Sequence, residues 1–266
     1  MAAQAGDFRV RRMSLVIFDA AFYAVAIPAV IALGLSKGGF SGLGAIATPL
    51  VALYLPPLSA AALLLPIMIC QDLISLYVYR KDWSPRNLKA LLPGALVGVG
   101  LGYLFAAYVS DAGVRIVAGG IGLAFAVTAW LRRGSLASYN ATVTRGAFWG
   151  TVSGFTSFVV QGGGPAFQAY VLPQRLPKMT FVGTSTIFFF IVNALKVFPY
   201  FLLGQFSPHN LTTSLVLLPL AVASNFLGFW LVRHTSTTWF YRIAYTLLVL
   251  ISLGLLWQGV GDLLQA

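Results

Sequence analysis

The chain has no glutamate: its six acidic residues are all aspartate, set against 17 lysines and arginines. Charge of either sign is scarce, at 9% of 266 residues, while 59% are hydrophobic. The mean hydropathy is +0.86. A soluble domain carries roughly 25% charged residues, so this composition cannot cover a water-facing surface and excludes a soluble globular protein. The net charge of +11 would point a soluble chain toward nucleic acid. Here most Arg and Lys fall in loops between apolar runs, where they read as orientation signals and lipid-headgroup contacts. Membrane lipids are therefore expected partners and nucleic acid is not. One cysteine, Cys70, lies inside an apolar run, which excludes a disulfide framework and suits a small hydrophobe. The two histidines, His209 and His234, fall in loops with no metal-ligand spacing. There is no GxxxxGK phosphate loop and no nucleophile–base arrangement, so no metal, cofactor or enzymatic activity is expected.

What the chain has in quantity is apolar length. Segments fall at Ser14–Leu35, Leu43–Leu55, Ser59–Tyr79, Leu88–Val109, Val114–Leu131, Ala147–Val160, Ala166–Leu172, Thr180–Leu203, Leu211–Val232 and Thr237–Trp257. Most can cross about 30 Å of hydrocarbon at about 1.5 Å per residue. Leu43–Leu55 and Ala166–Leu172 are too short, and Ala147–Val160 is marginal. The first run follows Arg9, Arg11 and Arg12 and contains Ala24-Val25-Ala26, as a cleavable leader would. Its length of about 22 residues fits an uncleaved membrane helix instead.

Charge placement decides what the short segments do. If both are re-entrant, Arg9, Arg11, Arg12, Arg80, Lys81, Arg86, Lys89, Arg132, Arg133 and Arg145 share the amino-terminal side. Arg115, Arg175, Lys178, Arg233 and Arg242 remain opposite, a minority that agrees with the positive-inside rule. The expectation is an all-α polytopic membrane protein of eight spans and two re-entrant elements, with both termini cytoplasmic. Ten spans is the alternative.

The short segments each follow a glycine-rich break. Lys37-Gly38-Gly39-Phe40-Ser41-Gly42-Leu43-Gly44 precedes Pro49, and Gln161-Gly162-Gly163-Gly164-Pro165 precedes Pro173. Gly38 aligns on Gly162, Gly39 on Gly163 and Pro49 on Pro173 without a gap. Further matches follow in order: Ser84-Pro85-Arg86-Asn87-Leu88 with Ser207-Pro208-His209-Asn210-Leu211, and Pro93 through Gly102 with Pro219 through Gly228. Each Ser-Pro pair reads as a helix cap and first turn. The repeat spacing near 124 residues makes each half a bundle, 14–131 and 145–257, joined by a polar linker at 132–144 and flanked by tails at 1–13 and 258–266. With four spans per half the repeats run parallel; five would invert them. Irregular backbone at membrane depth lines a cavity or is buried in protein. Interrupted segments at matching places of two halves point to a transporter's substrate site.

These strings resemble the sulfite exporter TauE/SafE family. The resemblance rests on Lys37 through Gly44, Gly162-Gly163-Gly164-Pro165 with Gln168 and Tyr170, Gly183-Thr184-Ser185, Asn193-Ala194-Leu195-Lys196, and Pro199-Tyr200. It covers about residues 15 to 257 and implies a bacterial, duplicated, polytopic transporter of small organosulfur anions. The first half lacks an Asn-x-x-Lys string; Cys70-Gln71-Asp72 occupies that region, so an asymmetric site is expected.

Lys37 and Lys196 are the charges to explain, since a Lys at the centre of a span costs roughly 2.5–3.5 kcal/mol on insertion scales. Lys37 reads either as snorkelling from the end of its span or as a cavity cation. Lys196 lies deeper and reads as a direct attractor of a sulfite or sulfonate oxygen. Gly38, Gly39, Ser41, Gly42, Gly162, Gly163 and Gly164 would let main-chain N–H groups and helix starts approach an anion, or would serve close helix packing, as Gly94, Gly98 and Gly102 do. Gln71, Gln161, Thr184, Ser185 and Asn193 are neutral ligands or helix bridges. Asp72, mid-span, either carries a coupling proton or pairs with a lysine; Asp19 lies nearer the interface. The expected activity is export of a small anion, sulfite or a sulfoacetate-like organosulfonate, by alternating access. Proton or sodium would be the coupling ion and a homodimer the assembly, in the bacterial inner membrane. A passive anion channel is the alternative, and a membrane-embedded enzyme is less favoured.

Overall fold

The computed structural model describes residues 19–40, 43–55, 57–105, 110–131 and 141–265. Among them there is no strand. The helices are α1 (Ala20–Gly38), α2 (Ala47–Ala52, after a 3₁₀ turn Leu43–Ile46), α3 (Pro57–Tyr79), α4 (Pro85–Phe105) and α5 (Asp111–Leu131), then α6 (Val143–Val160), α7 (Gly164–Val171, followed by a 3₁₀ turn Leu172–Gln174), α8 (Lys178–Leu202), α9 (Pro208–His234) and α10 (Thr237–Gln265). Six of them, α1, α3, α4, α8, α9 and α10, are long and apolar enough to cross a membrane. The protein is a multi-pass membrane protein.

Local chemistry sets the helix ends. Asp19 caps α1, accepting from Ala21 N–H at 2.9 Å, and also bonds the Tyr54 hydroxyl. Its carboxylate therefore serves a helix terminus. The Ser-Pro pairs behave as capping demands. Ser84 Oγ accepts from Asn87 N–H ahead of α4, and Ser207 Oγ from Asn210 N–H ahead of α9. The last helix runs beyond Trp257 to Gln265, because nothing between them breaks the pattern. The apolar run Ala147–Val160, marginal in length, lies within the 18-residue α6, where Ser153, Thr156 and Ser157 are buried, so this helix need not be apolar all round.

Between the halves the helices cross at small residues. The α4 and α6 backbones touch so closely that a Cβ on Gly94 would lie 2.0 Å from Ala147 O, and one on Gly98 2.1 Å from Thr151 O. In the equivalent place α1 packs on α9, where a Cβ on Gly38 would lie 2.4 Å from the Gly228 Cα. The α3 helix packs on α8, and α5 on α10. Large apolar side chains such as Leu104, Phe198, Leu215, Trp230 and Trp257 point outward, as a hydrocarbon solvent permits. The centre, in contrast, holds buried polar and charged groups.

Candidate functional site

Two helices stop short at the centre. The first, α1, ends where Gly39 takes φ 142°, a backbone region open to glycine. Its last carbonyls are received by α3: Ser75 Oγ donates to Lys37 O at 2.9 Å and the Tyr79 hydroxyl to Gly38 O at 2.6 Å. The second, α6, ends on Gln161 in the left-handed region at φ 55°. Gly162 N–H then reaches back to Thr156 O at 3.1 Å, an oxygen that also accepts from Gln161 N–H. The chain restarts at once as α7, with Pro165 in its first turn.

Both stops open on one cavity of about 50 Å³. Ser36, Lys37 and Gly44 line it from the first break, and Ser157, Gln161 and Gly164 from the second. Ser185, Thr186 and Phe189 of α8 complete the wall, with Leu33 and Met68 giving it an apolar side. One water needs roughly 10–15 Å³ of such space, so the cavity suits a few waters or one small ion.

The charges sit beside it. Asp72 and Lys196 are fully buried and Lys37 is 9% exposed. Lys37 Nζ stands 2.6 Å from Asp72 Oδ1, and over the Phe189 ring at 5.8 Å. Lys37 thus turns inward to a buried acid and does not snorkel. Asp72 Oδ2 also accepts from Asn193 Nδ2 at 2.6 Å, so α1, α3 and α8 are tied through one carboxylate. Lys196 Nζ donates to Ser157 O and Ser157 Oγ, both at 3.2 Å, and to Gln161 Oε1. Three oxygens match the three N–H donors of an ammonium. Because Lys can only donate, the Gln161 amide is oriented with its oxygen toward Lys196. That leaves the buried Gln161 Nε2 a donor with no protein partner, beside a cavity that Gln161 lines.

The repeat becomes physical here. Gln161 and Lys196 are 35 residues apart, as are Lys37 and Asp72. Shifted by the glycine register, Lys37 falls on Gln161 and Asp72 on Lys196. The same two positions make a helix-end-to-helix contact in each half, acid and base in one, amide and base in the other.

The other sequence candidates divide. Ser185 and Gly164 line the cavity. Gly38 is a packing glycine against Gly228. Gln71 turns to α9, its side-chain amide donating to Ala221 O at 2.9 Å while its main-chain carbonyl accepts from Asn225 Nδ2 at 3.0 Å. Thr184 turns to the α3–α4 loop, accepting from Ser84 N–H at 2.9 Å. Ser41 and Gly42 lie outside the described residues. Sequence reading missed Ser36, Ser157, Thr186 and Phe189; Ser157, one turn before Gln161, was the most accessible of them. A Cβ on Gly163 would meet Ser153 O at 2.7 Å, so Gly163→Ala should shift α7 off α6. We expect it to lower the unfolding temperature in detergent; an unchanged value would contradict this placement.

Interrupted helices that converge on a cavity lined by Lys37, with Asp72 behind it, define a polytopic membrane protein with an internal polar site. The family model described as Sulfite exporter TauE/SafE matches residues 26–255, and the chain belongs to that family of membrane transporters. Comparison with curated proteins and with solved structures gave no match.

Proposed function

We propose that the cavity between the two glycine breaks is the substrate site of a secondary transporter that exports a small sulfur-containing anion, sulfite or an organosulfonate. The observation that carries this is the orphan Gln161 Nε2, buried beside two lysines in a cavity fed from both halves. A buried unpaired donor costs about 1–3 kcal/mol, and an anion oxygen is the partner it lacks. Gly164 brings the α7 amino-terminal end, with its positive dipole, to the same wall.

In this reading α5 and α6, of 21 and 18 residues, join the six apolar helices to make eight spans, with α2 and α7 re-entrant at six and eight residues. The paired contacts α1–α9 with α4–α6, and α3–α9 with α4–α8, support two repeats about a pseudo-two-fold axis along the membrane normal. Rocking of one repeat on the other would expose the site alternately. Asp72, the one fully buried carboxylate among the described residues, is our candidate for the coupling group, protonated only when its pair with Lys37 opens.

Proteoliposomes test the transport reading: labelled sulfite should accumulate against its gradient when a proton or sodium gradient is imposed. Equilibration without accumulation would make the protein a channel. Topology is tested separately. Cysteines introduced at Lys81 and Ser110, which flank α4 and leave the Ser84 cap intact, should label from opposite faces with an impermeant reagent. Labelling from one face contradicts eight spans.

A further inference from the structure

Three charges face the cavity region, and they form a closed set. The charged groups acting on Asp72 are Lys37 and Lys196, and those acting on Lys196 are Lys37 and Asp72. The remaining neighbours, Ser157 and Gln161 of α6 and Asn193 of α8, are neutral. Asp72 is matched by Lys37 at 2.6 Å. Lys196 meets only neutral oxygens, which accept from its N–H groups, and a bound anion is the counter-charge that would hold it as an ammonium. With Lys196 so protonated, the three groups sum to one positive charge for a ligand to match, at a depth where uncompensated charge is costly.

We infer that the site selects anions by valence: it is built to neutralise one negative charge, and Asp72 is the residue that sets this number. This rests on the reading of the cavity as an anion site and adds the substrate's charge class. A singly charged sulfonate, or the singly protonated form of a diprotic oxyacid, leaves the occupied centre neutral. A dianion leaves it with one negative charge. The repeat arithmetic shows the device plainly, since a basic residue at both matched positions would have given a site for two charges. With an acid at position 72, the first half instead cancels its own lysine.

The experiment compares methanesulfonate with sulfate, both tetrahedral at sulfur, by titration calorimetry on purified protein in detergent. Wild type should bind methanesulfonate more tightly. Asp72→Asn raises the centre by one charge and should move the affinity ratio toward sulfate by about tenfold or more. The double variant Lys37→Gln with Asp72→Asn restores a single positive charge and should return the ratio to that of wild type, whatever its absolute affinities. It also removes the unpaired buried lysine, so it carries the test if Asp72→Asn alone does not fold. Asp72→Glu should keep the wild-type ratio. Tighter sulfate binding by wild type, or equal ratios in wild type and folded Asp72→Asn, or a double variant whose ratio departs from wild type's, would overturn the valence rule while leaving an anion site standing. Binding of neither probe to wild type would remove the anion site itself.

Discussion

Lys196→Gln should weaken anion binding by roughly ten- to a hundredfold while leaving the amount of folded protein in the membrane unchanged. Lys196 is wholly buried, and its Nζ holds Ser157 and the Gln161 amide oxygen. With its donors taken up by those oxygens, Lys196 acts on the anion through its charge: at an effective dielectric near 20, a unit charge several ångströms away is worth about 2–3 kcal/mol, and about 1.4 kcal/mol is a factor of ten. Glutamine can still donate to Gln161 Oε1, so the α6–α8 contact persists and the loss falls on the ligand. Lys196→Arg should rescue only in part, because a planar fork does not fit three oxygens arranged around one nitrogen. Titration with methanesulfonate measures both variants. Normal affinity in Lys196→Gln would place the anion elsewhere.

Asp72→Ala should be the most destabilising single change at the centre. It removes the acid from a fully buried pair and strands Lys37, which is 9% exposed, with its charge unmatched. Breaking a buried pair from one side costs about 3–5 kcal/mol. Asn193 loses its acceptor in the same step, so α3 loses its Asp72 links to α1 and α8, while Ser75 and Tyr79 still hold the last α1 carbonyls. The expected result is a fall of several degrees in unfolding temperature in detergent, or loss of folded protein. Lys37→Gln with Asp72→Ala should recover most of it. A single variant as stable as wild type would mean that Lys37 finds water, and that the pair contributes little.

Much of this was legible in the sequence because membrane solvent constrains it so tightly. Apolar runs and Ser-Pro caps each have one physical reading in a chain with 9% charge. The two short helices follow directly, since glycine and proline leave too few residues between them to span. Lys196 and Asn193 could be placed together because a helical turn separates them. What could not be read was which way each side chain turns. Gln71 and Asp72 are neighbours on α3, and one faces α9 while the other faces α1 and α8. Thr184 and Ser185 split likewise between the α3–α4 loop and the cavity. Nor could sequence choose for Asp72 between a proton carrier and a lysine's partner, because both require a carboxylate at membrane depth. The glycines were ambiguous for the same reason: Gly38 and Gly163 approach backbone and side chains of neighbouring helices, while Gly164 reaches the cavity, and all three look alike in a string.

The most direct test is to locate the anion. Crystals grown with bromomethanesulfonate, a singly charged sulfonate with a strong anomalous scatterer, should show a bromine peak in the cavity bounded by Ser36, Ser157, Gln161 and Phe189. The sulfonate oxygens should lie within hydrogen-bond reach of Gln161 Nε2, and the peak should vanish in Lys196→Gln. A peak confined to the loop cluster of Arg80, Lys81, Arg86 and Lys89, with the cavity empty, would contradict the account.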